Sequence, residues 1–429
     1  METKQPIGKT LLLHGGILLG AIVLGFVLML AAYALPTGRM RANVTKSLDM
    51  LEKEGDYPVW AENIYMAKLD QFTDAIMIKT AVMESDMGLV ERALLNPFLN
   101  VEEDSGIPQT SNIRAELEGN YSQDEVMNYS RYWHGYLAIL KPLLLIFNIS
   151  EIRVMSMILQ ALLLLWALWL IKERLNGYYA LAFFAAVLLL SPISVALCMQ
   201  YKNTYYIALI STITLLLLDK RGIGNRWSPV FMAGGIAVAF FDLLSAPLIT
   251  LTIPLAVFMA LRAKQGKLGW KETLLPCVSW GIGYGVMWFG EWVLATLLTK
   301  ENVIKDGIER TLMRSAGDVE GAKVSFISVV KANLAAFNSP VFFLAILAGG
   351  IALAVFLVRS RGKLQWQKSL LWFFFAMALP FLWYFVVKNH SYIHTLFSYR
   401  LLAGGLLAGL CFIGALADHH GLSEARRAQ

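Results

Sequence analysis

The chain is 429 residues long, 57% hydrophobic and only 16% charged, with a mean hydropathy of +0.55. That balance excludes an ordinary water-soluble globular domain and fits a multi-span membrane protein. The net charge of +6 does not argue for nucleic acid, because the basic residues form no aromatic-interleaved patch and sit in short connectors between apolar runs, as the positive-inside rule predicts.

Lys4 precedes the apolar run Leu11 to Leu35, which at about 25 residues is long enough to cross a bilayer. A cleaved signal peptide is the rival reading, since Ala32-Tyr33-Ala34 mimics a small-x-small site, but the apolar stretch is too long for one. From Pro36 to Arg131 the chain turns polar, with acids such as Glu52, Glu54, Asp56, Glu84, Asp86, Glu102, Glu103 and Asp104 outnumbering bases. A connector of roughly ninety residues is a functional lid, a binding surface or a small domain. Within it, Asp70 to Val82 has apolar residues at Phe72, Ile76, Met77 and Val82, which predicts a helix lying at the outer interface. Trp133 to Phe147, broken at Lys141-Pro142, reads as an interfacial or re-entrant helix.

Further apolar runs follow at Ser150–Ile171, Tyr178–Val195, a run ending at Leu218, Pro229–Phe241, Pro247–Leu261, Thr273–Leu298, a run descending to Arg359, Leu370–Val387 and Leu401–Ala417. Lys172-Glu173-Arg174, Asp219-Lys220-Arg221, Arg262 to Lys271 and Arg359 to Lys363 mark one side; Met199 to Asn203 reads as an outer turn, and Lys300 to Asn338 as a second outer loop carrying Arg310, Arg314 and Asp318. The expected fold class is all-α: a polytopic transmembrane helix bundle of about ten spans, with a long outer loop containing interfacial helices and both termini cytoplasmic. The expected organisation is a first transmembrane helix at 1–35, an extracytoplasmic loop at 36–149, a transmembrane bundle at 150–417 and a cytoplasmic tail at 418–429. Cys198, Cys277 and Cys411 lie in or beside apolar runs and define no disulfide or metal framework.

The candidates for chemistry gather at the outer side. Asp70 and Asp74, four residues apart, share a face of a helix, and one carboxylate held near an acceptor hydroxyl is a general base. Asp74, followed by Ala75-Ile76-Met77-Ile78, is the better placed of the two. Arg131, Trp133 and His134 are candidate substrate contacts, the aromatic ring stacking on a sugar face, against the alternative of an aromatic belt at the bilayer surface. Asp242 and Glu291 fall near the outer ends of their spans, where an ionisable group is costly unless paired or used. His390, His394 and Arg400, with Lys202, read as a phosphate clamp, since arginine gives bidentate contacts to phosphate oxygens and histidine can donate a hydrogen bond or a proton. No third metal ligand accompanies the two histidines.

This layout, with one span, a long acidic outer loop and then a multi-span bundle with basic residues at its outer ends, resembles the GT-C superfamily of integral membrane glycosyltransferases. The resemblance implies an outer-face active site and a polyprenyl-phosphate-linked sugar as donor, with a glycan or lipid acceptor. It also implies an acidic base in the first loop, here Asp70 or Asp74, and cations on the lipid phosphate, here Lys202, His390, His394 or Arg400. A bacterial plasma membrane is the expected location, the bilayer the expected partner, and a divalent metal ion near the acidic loop is compatible with the chemistry. The basic stretch Pro36 to Arg41 departs from that pattern, in which the acid often follows soon after the first span. The alternatives are a lipid-linked saccharide flippase or transporter, with polar groups at mid-depth and broken helices, and a non-catalytic scaffold whose outer loop binds a partner.

Overall fold

In the computed structural model, residues 7–100, 107–319, 322–359 and 366–427 are described. Lys4, Glu102, Glu103, Asp104 and the basic turn 360–363 lie outside them. The chain enters through α1 (Ile7–Tyr33) and then builds a helical subdomain from α2 (Thr37–Thr45), α3 (Leu48–Glu54), α4 (Gln71–Val82), α5 (Leu89–Leu95), α6 (Asn112–Glu118) and α7 (Leu137–Leu144). A short antiparallel ribbon pairs β1 (Pro97–Leu99) with β2 (Val126–Asn128), Phe98 opposite Met127. The bundle follows as α8 (Ile149–Arg174), α9 (Gly177–Leu188), α10 (Pro192–Leu197), α11 (Met199–Lys220), α12 (Ser228–Phe241), α13 (Ile249–Lys264) and α14 (Trp270–Leu298). A second insertion carries α15 (Val303–Ser315), the two-residue strands β3 (Asp318–Val319) and β4 (Ala322–Lys323), and α16 (Phe326–Leu334). Then come α17 (Pro340–Arg359), α18 (Trp372–Val386), α19 (Lys388–Ile393), α20 (Thr395–Ser398) and α21 (Leu402–Arg427).

The all-α class is thus met, and the expected spans are met in part. Five stretches are long and apolar enough to cross a membrane: His14–Tyr33, Ile149–Arg174, Trp270–Leu298, Lys368–Val386 and Thr395–Ala417. A sixth arises if Phe326–Phe337 and Phe342–Ile351, bent by 94°, form one broken span. The other apolar runs are helical but fall short, for local reasons. The run at 178–195 is cut in two where Ser191 takes a left-handed φ of 55° ahead of Pro192, and Gly177–Leu188 and Ser228–Phe241 remain shorter apolar helices. Helix α13 is buried from Ile249 to Ala263 and packs against α11, α12, α14, α18 and α21, so the protein rather than a solvent surrounds it.

Both ends of the bundle are held by side chains. At one end Arg174 pairs with Asp219 at 2.7 Å, Lys220 with Glu173 at 2.8 Å, and Lys264 donates to the Arg174 carbonyl at 2.9 Å. The basic connectors after α8, α11 and α13 therefore share one end. Within the bundle α12 and α14 cross tightly: a Cβ at Gly235 would lie 2.1 Å from the Trp280 carbonyl oxygen, and one at Gly283 would lie 2.3 Å from that of Met232. Within the glycine run 281–285 it is Gly283 that forms the packing seam of one continuous helix, a Cβ at Gly281 or Gly285 meeting nothing within 4 Å.

The opposite end carries the helical subdomain, whose centre is α4. The sequence predicts an interfacial helix here, yet ten of its residues are buried, from Gln71 through Asp74 to Val82. Such a helix needs its ends satisfied by side chains. At its C-terminus Lys141 donates to the Ala81 carbonyl at 2.7 Å and Arg41 to that of Val82 at 3.2 Å; the same guanidinium holds the Leu117 carbonyl at the end of α6 at 2.7 Å. Cations at helix C-termini also meet the negative end of the dipole. Arg41, in the basic stretch after the first span, thus binds the last turns of both α4 and α6.

Candidate functional site

A cavity of about 380 Å³ opens between the subdomain and the bundle end, lined by residues including Tyr57, Tyr65, Lys68, Asp70, Thr73, Tyr129, Gln200, Arg314, His390 and His394. Distant stretches of sequence meet there, among them the segment leading into α4 and its start, the first turn of α11, the C-terminus of α15 and the α19–α20 turn.

Asp70 is the N-cap of α4. One carboxylate oxygen accepts from the Thr73 N–H at 3.1 Å and the other from the Thr73 hydroxyl at 2.8 Å. Burial pushes its pKa up to about 6, against the lowering effect of the Thr73 bonds and the Arg400 guanidinium. A carboxyl group with that value is still largely ionised at neutral pH but binds a proton far more readily than a surface aspartate.

Asp74 does not line the cavity. It accepts from the backbone N–H groups of Met199 at 2.7 Å and Gln200 at 2.8 Å, and from the Cys198 thiol at 3.4 Å. Those amides open α11, so Asp74 caps that helix from another element and docks α4 onto the bundle. Met199 to Asn203, expected as an outer turn, is the first turn of α11. Lys202, also expected on a substrate phosphate, is buried there, with Asp74 the leading charge beside it; its ammonium has no hydrogen-bond partner among the described residues.

The aromatic segment corrects another expectation. The Trp133 indole, 1% exposed, donates to the Met287 carbonyl at 2.7 Å and packs on Phe240. His134, with a left-handed φ of 52°, contacts the Tyr129 carbonyl through Nε2 at 2.8 Å and the Tyr136 hydroxyl through Nδ1 at 3.0 Å. Burial lowers its pKa to about 3, so it is neutral. Neither side chain lines the cavity: Trp133 joins the subdomain to α12 and α14, and His134 ties together the Tyr129–Tyr136 segment itself. Arg131 lies outside the cavity wall, paired with Asp306 at 3.1 Å and set over the Tyr129 ring at 5.0 Å.

Asp242 follows α12 and accepts from both the N–H and the hydroxyl of Ser245. That turn, with Leu244 at φ 66°, presents the Leu244 carbonyl to Nε2 of His390 at 2.8 Å. Because a carbonyl only accepts, Nε2 carries the proton and Nδ1 is left as an acceptor; it receives an N–H of Arg314. Burial holds the His390 pKa well below its ordinary value. His394 stacks on Phe397 and contacts the His390 ring at 4.7 Å, and burial lowers its pKa to about 4. Both histidines are therefore neutral at physiological pH. Arg400, expected at the clamp, is buried behind the cavity, donating to the Leu190 carbonyl at 3.1 Å and that of Leu396 at 2.6 Å, with its guanidinium 3.7 Å from the Tyr201 ring centroid.

Of the two cations in the cavity lining, Lys68 sits over the Tyr57 ring at 4.7 Å and Arg314 forms no ion pair among the described residues. Arg314 was legible as a residue of the second outer loop but not as a member of the site. A helical wheel of α15 would have placed it, since Arg314 falls on the same face as Val303 and Gly307, the two buried residues of that helix. Among the described residues no three His, Cys, Asp or Glu side chains group as metal ligands. Asp70, the one carboxylate in the cavity lining, is already held by Thr73, so this donor set does not fit a resident divalent ion. Comparison with protein-family models, curated proteins and solved structures returned no match.

Proposed function

We propose that this protein is an integral membrane transferase that moves a sugar from a polyprenyl-phosphate donor to an acceptor hydroxyl at the extracytoplasmic face of a bacterial plasma membrane. In this reading each of the ten apolar helices is a span and both termini are cytoplasmic. The basic connectors gathered at the end of the bundle remote from the cavity support that orientation. The observation that carries the proposal is a single cavity holding a carboxylate of raised proton affinity and an arginine with no carboxylate partner.

The roles follow from the geometry. Asp70 takes the proton of the acceptor hydroxyl as its oxygen bonds to the anomeric carbon; the carbon–oxygen bond to the phosphate breaks, and the electron pair leaves with the phosphate. Arg314, oriented by the neutral His390, binds the phosphate oxygens and balances the charge of the leaving group. The phosphate grip passes from Arg400 and Lys202, which are buried elsewhere, to Arg314. The base passes from Asp74 to Asp70. The saccharide acceptor and lipid donor both need access from a water–membrane boundary, and the cavity lies where the subdomain meets the bundle end.

The test uses the full chain in nanodiscs with undecaprenyl phosphate as probe. Arg314→Ala is expected to weaken its binding at least tenfold while Asp70→Asn leaves binding within twofold. With a panel of labelled undecaprenyl-phosphate sugars, Asp70→Asn is expected to abolish transfer. Binding no tighter than that of phosphatidic acid would overturn the reading.

A further inference from the structure

Helix α15 has three faces, and only two are accounted for by the protein. One face, with Val303 and Gly307, is buried. A Cβ at Gly307 would lie 2.5 Å from the Trp292 ring, so the helix lies flush against that indole. Its rotation is fixed twice more: Asp306 pairs with Arg131, and Arg314, two turns beyond Gly307, reaches His390. A second face carries Asp306, Glu309 and Arg310, with the exposed Met313 among them and Lys305 at its border with the apolar stripe; ion pairs join Lys305 to Glu309 at 4.0 Å and Arg310 to Asp306 at 3.7 Å. Such exposed pairs are at home in water.

The third face is apolar and uncovered. Ile308 is 47% and Leu312 66% exposed, one helical turn apart on a single stripe. What lies beside it is set by the chain on either side. Helix α14, one of the stretches able to cross a membrane, ends at Leu297 and Leu298, themselves 74% and 47% exposed. Only Thr299 to Asn302 separate it from α15. Below that end of α14 the half-buried Trp288 and the buried Trp292 both donate to the Arg131 carbonyl, at 3.0 and 3.1 Å, and tie the helix to the subdomain. The exposed Leu297 and Leu298 are what mark the outer end of the span. The apolar stripe thus begins where the span leaves the hydrocarbon.

We propose that α15 lies in the membrane surface, with Ile308 and Leu312 seated among the lipid acyl chains and Lys305, Glu309 and Arg310 in water. The partner is the bilayer itself, in the manner of an in-plane amphipathic helix. Because the buried face of the same helix delivers Arg314 to the cavity, that guanidinium is held at bilayer level, where the phosphate of a lipid enters sideways without leaving the membrane. The placement of the helix does not depend on what the cavity binds.

The experiment measures depth directly. Leu312→Cys, Ile308→Cys and Glu309→Cys are each labelled with an environment-sensitive fluorophore, in nanodiscs made with and without phosphatidylcholine brominated along its acyl chains. The native cysteines are buried or half-buried, and the unsubstituted chain supplies the labelling background. Labels at 308 and 312 are expected to emit at shorter wavelength than at 309 and to be quenched at least threefold more by brominated lipid. Equal, water-like emission at all three positions would overturn the proposal, as would labels at 308 and 312 shielded from both water and brominated lipid, which would mean a protein covers the stripe. Failure of undecaprenyl phosphate to bind would sink the transferase reading and leave this result standing.

Discussion

Replacing Asp74 by alanine separates two jobs that the sequence does not distinguish. Its carboxylate accepts two backbone N–H bonds of 2.7 and 2.8 Å at the start of α11. Loss of a helix cap costs about 0.5–2 kcal/mol. Here the amides are buried and left without an acceptor, and the buried Lys202 ammonium loses its leading counter-charge, which brings the expected cost to about 3–5 kcal/mol. Asp74→Asn keeps one acceptor oxygen and is expected to cost about half as much. Cys198, Cys277 and Cys411 are buried or half-buried, so a thiol-reactive fluorophore reports unfolding of the detergent-solubilised chain on heating. The expected order of midpoints is wild type, then Asp74→Asn, then Asp74→Ala, with binding of undecaprenyl phosphate following the folded fraction. An Asp74→Ala protein with an unchanged midpoint and no transfer would refute the capping argument and make Asp74 the base.

Asp70 should behave in the opposite way. Its folded pKa of about 6 lies above the ordinary 3.8, so its contribution to stability is fully present below pH 3.8 and lost as pH rises through 6; at pH 7.5 Asp70→Asn is expected to stabilise the fold by about 2–3 kcal/mol while abolishing transfer, as paired melting and activity assays would show. The rate of transfer in wild type should rise with pH to a plateau, with a midpoint near 6, and the neutral histidines should add no second acidic limb. Arg314→Lys is expected to lose several-fold in affinity for undecaprenyl phosphate, because lysine cannot bond His390 and phosphate in one fixed plane, and His390→Ala should lower affinity without moving the pH midpoint. Gly135→Ala would place a Cβ 2.4 Å from the Phe240 ring and 2.5 Å from its carbonyl oxygen, so the full chain should accumulate poorly in membranes, as measured by immunoblot against Gly20→Ala, where nothing lies within 4 Å. Translated into microsomes, the chain should be glycosylated at the exposed sequon of Asn120 and not at the buried Asn43; modification at neither would count against translocation of the first loop.

The helical class and the five long apolar spans were legible because lipid exposure writes itself as composition: the long span Ile149–Arg174 leaves Val154, Ile158, Leu162 and Leu165 uncovered. Helices that the protein itself surrounds left a weaker trace. Helix α4, with polar Gln71, Asp74, Lys79 and Thr80 buried among apolar neighbours, has no distinct polar face, so its residues look like an interfacial segment until their partners are known. The Tyr129 to Tyr136 run misled for a related reason. Aromatic residues at a membrane edge suit a belt, a sugar platform and a packed joint equally by type, and only the carbonyl of Met287 and the ring of Phe240 decide in favour of the joint. Arg314 was hidden by distance in sequence: nothing local to α15 signals that His390, 76 residues away, waits for its guanidinium.

The two carboxylates four residues apart explain why a site can be rigid where part of its lining comes from loops. Helix α4 is fastened at three points: Asp74 to the opening turn of α11, and Arg41 and Lys141 to the carbonyls of its last turn. Each of those groups is buried or half-buried and charged, an arrangement that stabilises little in net terms but cannot slip, because a displaced charge would be stranded without water. Asp70, at the N-terminal end of the same rod, inherits that fixed position. Across the cavity the Asp242–Ser245 turn fixes the Leu244 carbonyl, which fixes the tautomer of His390, which in turn orients Arg314. The buried polar residues of these two chains of contacts thus serve to hold one carboxylate and one guanidinium in place. On this account mutations at Arg41, Lys141 or Asp242 should act on the site through Asp70 and Arg314, lowering turnover and affinity together, rather than through any contact of their own with substrate.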